Sequence, residues 1–230
     1  MRRVATGRST PAAAGSRRLR PGRVALMRTA IGLMGKDGYE GTSTRDIAAA
    51  AGVSVAALYY HFPSKLDLLR QFLHEAHDVV LARLRREVGA AAPGGPQAQL
   101  DAAVATLVAS NLHDEWARLA AQVAEREHAR LDEPDRLAIA AKREAIVDLI
   151  AEVVEAGVAA GDFTTTEARE VAWAVLTLAS SSVQRFPAPG TTLADVTSRH
   201  QRFARALATG PAGPAPARRR ARGQAPPAAR

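Results

Sequence analysis

The sequence predicts an all-α fold: an N-terminal three-helix helix-turn-helix domain followed by a C-terminal helical bundle. Three observations predict it. Apolar residues recur at helical spacing along most of the chain, and no segment alternates with the period of a strand. Only ten of the 230 residues are aromatic, so the core must be built largely from Ala, Leu and Val. Residues 42–65, TSTRDIAAAAGVSVAALYYHFPSK, carry the start and stop signals of two short helices and the start of a third.

Taken in order, residues 1–20 contain Arg, Ala, Ser and Gly with no apolar period, and read as a disordered basic arm. Val24, Met27, Ile31 and Met34 recur at helical spacing and give the first helix, which Asp37-Gly38 ends. Tyr39 is expected to pack back onto the small domain. Ser43 and Asp46 form an S-x-x-D capping box that opens the second helix, with Ile47 and Ala51 on its buried face. Gly52 closes it, because glycine takes the left-handed conformation without a Cβ clash. Ser54 caps the third helix, Leu58 and Phe62 supply its buried stripe, and Pro63 ends it. A helix, a glycine-containing turn and a second helix make the helix-turn-helix plan, whose second helix enters the DNA major groove.

Ser64 then caps a fourth helix of about 25 residues, with Asp67 completing a second capping box. Its stripe is Leu66, Leu69, Phe72, Leu73, Ala76, Val80 and Leu84. Ala90–Gln97 reads as a linker. Further helices are expected near residues 98–112, 114–129, 134–160, 166–184 and 193–208. Pro134 falls in a first turn, Gly157 and Gly161 weaken and close the long helix, and residues 186–190 form a loop. The expected division is a basic arm at 1–20, a DNA-binding domain at 21–65 with its helix-turn-helix at 43–62, a C-terminal helical domain at 66–208 that includes the connecting fourth helix, and a basic, low-complexity tail at 209–230.

Composition excludes several classes. There is no Cys, so disulfides, thiolate metal sites and thiol nucleophiles are ruled out. No apolar run approaches the length of a membrane span, and the basic N-terminus lacks an apolar signal core, so a cytoplasmic protein is expected. The net charge of +8 comes from the ends: residues 1–23 hold seven Arg and no acid, and residues 208–230 hold five Arg and no acid. Residues 24–207 carry −4, and residues 97–207 alone carry −5, which gives the C-terminal body no reason to touch DNA. His74, His77 and Asp78 offer metal-ligand spacing but no third partner elsewhere, so no metal is expected. Glu125, Glu127, Asp132, Glu133 and Asp135 cluster where helices start and stop, which is where caps and solvated faces are usual. No phosphate loop, no G-x-S-x-G and no nucleophile–base pair is present, so neither an enzyme nor a cofactor is expected.

The stretch from Val24 to Leu84 resembles the DNA-binding domain of TetR-family transcriptional regulators. Gly38-Tyr39, then Thr42 to Ser54 as T-[ST]-x-R-D-I-A-x-x-A-G-V-S, then Leu58 to Lys65 as L-Y-x-H-F-x-[SN]-K carry the resemblance. It implies that Thr44, Tyr59, His61 and Lys65 hold phosphates, that Arg45 reaches a base edge and that Tyr60 lies against bases or sugar. Arg suits guanine O6 and N7. Val55, Ala56 and Ala57 depart from the polar front that many members carry, leaving Val55 and the alanines apolar contact with thymine methyls. Specificity then leans on Arg45, Ser54, Tyr60 and DNA shape. Each residue has a structural explanation when taken alone: Tyr59 as a core aromatic, His61 as a surface histidine, Asp46 as a cap. Their joint spacing favours DNA.

Two recognition helices must meet a near-palindromic operator about one turn apart, which implies a homodimer. The resemblance places its interface on the last two long helices, at Val171, Val175, Leu178 and Ser182 and at Leu193, Val196, His200, Phe203 and Leu207, although burial within one chain needs the same stripes. It also implies an effector pocket among helices four to eight, with Trp116, Leu119, Val123, Ile146, Ile150 and Trp173 as candidate walls. Arg130 to Phe163 resembles domains that sense acyl-CoA thioesters or related lipophilic molecules. The resulting expectation is a ligand-responsive repressor. Two alternatives compete with it: a protein of the same fold without an effector, and a nonspecific nucleic-acid or membrane-surface binder driven by the Arg arms.

Overall fold

The computed structural model describes residues 22–184 and 190–210. The arm, most of the tail and most of the expected loop at 186–190 lie outside the described residues. Among those described there are helices and turns and no strand, as an all-α chain requires. The helices are α1 (Arg23–Gly41), α2 (Thr44–Ala51), α3 (Val55–His61), α4 (Lys65–Ala91), α5 (Gly95–Leu112), α6 (Glu115–Glu127), α7 (Glu133–Ala160), α8 (Ala168–Ser181) and α9 (Leu193–Ala208).

The punctuation follows local chemistry. Gly38 breaks the helical path near the end of α1 with φ 80° and ψ 163°, a conformation that costs a residue without Cβ little. Asp114, Asp132 and Thr192 cap α6, α7 and α9 as Ser43, Ser54 and Ser64 cap α2 to α4, each accepting a bond from a first-turn N–H. The expected capping box at Ser64 is only half formed. Ser64 Oγ accepts from Asp67 N, but Asp67 meets the Ser64 hydroxyl rather than its backbone N–H.

Residues 90–97 are not a free linker. Alanine extends α4 to Ala91, a 3₁₀ turn spans Ala92–Gly94, and α5 begins at Gly95, with Pro96 tolerated in its first turn. Two members of the expected stripes face outward instead: Val24 is 65% exposed and Leu66 is 42% exposed. Leu26 and Leu68 take the buried places beside them.

Two apolar cores share α4. The first gathers Leu26, Ile31 and Met34 of α1, Ile47 of α2, Leu58 and Phe62 around α3, and Leu68, Leu69, Phe72 and Leu73 from the first half of α4. It also takes Ala120 and Val123 of α6, Leu131, and Ile139 of α7. The second gathers Leu84 and Val88 of α4 with the inner faces of α5, α7, α8 and α9. Helix α6 thus packs along α1 and closes the first core, although in sequence it belongs to the C-terminal half. Leu119 sits directly over Gly35, where an added Cβ would meet Leu119 Cβ at 2.6 Å.

Candidate DNA-reading face

Helices α2 and α3 are joined by Gly52 at φ 68° and ψ 32°, the left-handed residue a tight turn needs. Ser43 and Asp46 form a full reciprocal capping box, and the Ser43 bonds hold the Asp46 carboxyl below its ordinary range. Ile47, Leu58 and Phe62 anchor the pair to the core, so the opposite faces of both helices are presented to solvent.

Those faces carry the expected contact residues. Arg45 is exposed near the start of α2, with Thr44 half-buried beside it. Thr44 Oγ1 and the Tyr59 hydroxyl lie 3.4 Å apart, which ties the start of α2 to the end of α3 and sets two hydroxyls side by side. Tyr60 is 86% exposed, and its ring meets His61 edge to face at 5.3 Å. Such exposure of a large aromatic ring leaves apolar surface in water unless a partner covers it. Ser54 is exposed, and its oxygen accepts from Ala57 N. Ala56 is exposed, while Val55 is partly spent on the core. Thr44, Arg45, Ser54, Ala56, Tyr59, Tyr60 and His61 thus surround one pair of helices, with Val55 at its base.

Lys65 is placed less simply. Its Nζ donates to Tyr39 O at 2.7 Å and Thr42 O at 3.0 Å, and lies 4.0 Å from the Tyr39 ring centroid. Two of its three donors therefore hold the α1–α2 joint. Sequence reasoning missed this, and it missed Arg130, whose guanidinium lies 4.5 Å from the same ring. The Tyr39 of the G-Y pair was the available signal, but its two cationic partners lie far away in sequence.

The six candidate pocket walls are not brought together. Val123 and Leu119 are buried between α6 and α1, and Trp116 joins them, donating Nε1–H to Arg28 O at 3.0 Å. Ile146 and Ile150 lie in the second core with Trp173 against it. A cavity of about 300 Å³ instead opens between α4, α5 and α7, with Arg85, Val88, Gln99, Leu149, Glu152 and Val153 among its lining residues. None of the six expected walls lines it. Helical apolar spacing marks burial, and burial in a core and burial around a pocket share that spacing.

The candidate dimer residues divide as well. Val171, Val175 and Val196 are buried within the chain, in the second core. Leu178, Leu193 and His200 sit at its edge, the last with Nε2 at 3.1 Å from Leu178 O and Nδ1 at 2.8 Å from Val196 O. Phe203 and Leu207 stay 48% and 41% exposed on the outer side of α9.

A capped helix-turn-helix carrying exposed Arg and Tyr side chains and a half-buried His, mounted on a helical body, defines the class of helix-turn-helix DNA-binding proteins. The model of the bacterial regulatory proteins of the tetR family matches residues 26–72, and that of the tetracyclin repressor-like C-terminal domain matches residues 93–207. The chain belongs to the TetR family, whose members are transcriptional regulators and not enzymes. It is 31% identical over 98 residues to the HTH-type transcriptional regulator AcrR of Shigella flexneri, covering 43% of this chain and 45% of AcrR. The chain thus matches less than half the length of that relative. A bacterial regulatory protein of the tetR family from Rhodococcus RHA1 superposes with a TM-score of 0.73 at 26% identity, over 81% of this chain and 96% of that one. AibR in complex with isovaleryl coenzyme A and operator DNA shares the fold, with a TM-score of 0.68 at 22% identity over 81% of this chain and 97% of that one.

Proposed function

We propose that this chain is a sequence-specific repressor that binds a near-palindromic operator as a cytoplasmic homodimer and releases it on binding a small lipophilic or acyl-CoA-like effector. The observation that carries the DNA reading is the exposure of Arg45, Tyr59 and Tyr60, with half-buried His61 beside them, on helices that Ile47, Leu58 and Phe62 anchor to the core. Tyr59, His61, Thr44 and the remaining donor of Lys65 meet phosphates, and Arg45 reads a base edge. Ser54, Ala56 and Val55 lie against the groove floor.

Support for a dimer lies in Phe203 and Leu207, two large apolar side chains left exposed on α9, with Leu178, Leu193 and His200 at the same edge. Support for an effector lies in the cavity between α4, α5 and α7, which has an apolar floor at Val88 and Val153 and charge at Arg85 and Glu152. Described helices include none long and apolar enough to cross a membrane. A second reading, DNA binding without an effector, is favoured by the packing of five of the six expected wall residues in or against the two cores, with the sixth, Leu119, set over Gly35.

One titration separates these readings. A duplex selected by the protein from a random pool is bound with and without a panel of acyl-CoA thioesters and free lipophilic acids. Weakened binding with one class of compound supports the effector, and reciprocity requires the duplex to weaken that compound by the same factor. No effect from any compound favours the effector-free protein.

A further inference from the structure

One link between the N-terminal helices and the turn after α6 is an aromatic ring, that of Tyr39. Tyr39 follows the break at Gly38 and precedes α2 by only a few residues, so its placement decides where the start of α2 points. The ring faces two cations. Lys65 reaches it from the start of α4, 4.0 Å from the centroid, and Arg130 reaches it from the turn after α6, 4.5 Å away.

Arg130 is itself fixed. Its Nε donates to Glu127 Oε2 at 2.5 Å and its Nη1 to Glu40 Oε1 at 2.6 Å. Glu127 is buried, so it holds one edge of the planar guanidinium in place. Two carboxylates already occupy Arg130, which makes it a poor phosphate ligand. The surrounding contact is tight: Leu119 covers Gly35, and Arg126 Nη2 donates to Gly35 O at 3.3 Å.

We propose that Arg130 is a positioning residue for DNA binding. It acts through Tyr39 to hold the joint between α1 and α2, and so holds Thr44, Arg45 and Lys65 where the duplex meets them. The proposal rests on the DNA reading above. It gives the C-terminal half a share in DNA affinity without touching DNA, by a path through α6, which packs along α1. A displacement of α6 would be felt at Tyr39 directly.

The test uses the full chain, a duplex that the wild type selects from a random pool, and a scrambled duplex. Arg130→Gln is expected to weaken the selected duplex about three- to thirty-fold, the range that a cation–π contact spans. The slope of log K against log salt is expected to stay at the wild-type value, because no phosphate contact is lost. Arg130→Lys keeps a cation for the ring and is expected to recover part of the loss. In a Tyr39→Leu background, Arg130→Gln is expected to add nothing further.

Affinities are read well below the melting temperature of each variant. If Tyr39→Leu does not fold, the comparison of Arg130→Gln with Arg130→Lys decides. Wild-type affinity in Arg130→Gln, equal losses in the Gln and Lys variants, or a loss that persists in Tyr39→Leu would each overturn the proposal. A slope reduced by about one would make Arg130 a phosphate contact instead. A wild type that selects no duplex at all would remove the DNA reading itself and this proposal with it, a result distinct from a variant that binds normally.

Discussion

Lys65 has three N–H donors, two of which close the α1–α2 joint through Tyr39 O and Thr42 O. Lys65→Ala should therefore do two things. It should lower the salt slope of DNA binding by about one, on specific and nonspecific duplexes alike. It should also destabilise the fold by about 1–3 kcal/mol, because two carbonyls lose a charged donor. Denaturant melts and salt titrations of one variant read both effects. Arg45 carries no such internal duty among the described contacts and is exposed. Arg45→Ala should leave stability unchanged, cost about 1–3 kcal/mol on the selected duplex and relax preference at one symmetric base pair. Uniform loss on every sequence would make it a phosphate contact. The caps at Ser43, Ser54 and Ser64 were legible in the sequence because a cap acts across three residues, although the full box expected at Ser64 forms only in half. The Lys65–Tyr39–Arg130 grouping was not, because its members come from three separate elements.

At the level of elements, boundaries read well where a cap or a glycine acts locally and poorly where context decides. The stretch at 90–97 looks like a linker by composition, yet helix-forming alanines and a first-turn proline leave only three residues outside α4 and α5. The contact of α1 with α6 has no sequence signal beyond a small residue, Gly35. Gly35→Val should wedge the helices apart at Leu119, costing about 1–3 kcal/mol by overpacking despite the gain in helix propensity. A thermal melt checks it. His77 of α4 gives a pH signature. Burial holds its imidazole below the ordinary pKa, the Leu73 carbonyl opposes that shift, and Arg143, Lys142 and His74 add to it. The unfolded chain therefore takes up this proton at higher pH than the folded one. Its share of stability is complete above the unfolded value near 6.5 and is lost as pH falls below it. Replacing His77 with Gln should flatten that part of a melting-temperature profile, and an unchanged profile would move the effect elsewhere.

Across the whole molecule, the fold class and the helix-turn-helix were legible because periodicity, capping and a dense motif all act along the chain. The division into two cores was not. It puts Trp116 and Val123 with the DNA-binding helices, where Leu119 also covers Gly35, and Ile146, Ile150 and Trp173 with the second core. Apolar stripes also left the candidate dimer residues undivided, whereas Val171, Val175 and Val196 serve the chain's own core and Phe203 and Leu207 remain outside. Phe203→Asp should thus spare the monomer fold, halve the mass seen in sedimentation equilibrium and abolish preference for a two-fold site.

The most direct measurement is a footprint and titration of the wild type on the duplex it selects. Two inverted half-sites with centres about 34–36 Å apart are predicted. Affinity should exceed that for a scrambled duplex by about 10³ or more at physiological salt. Equal affinity for both duplexes, or protection without two-fold symmetry, would contradict a dimeric, sequence-reading regulator.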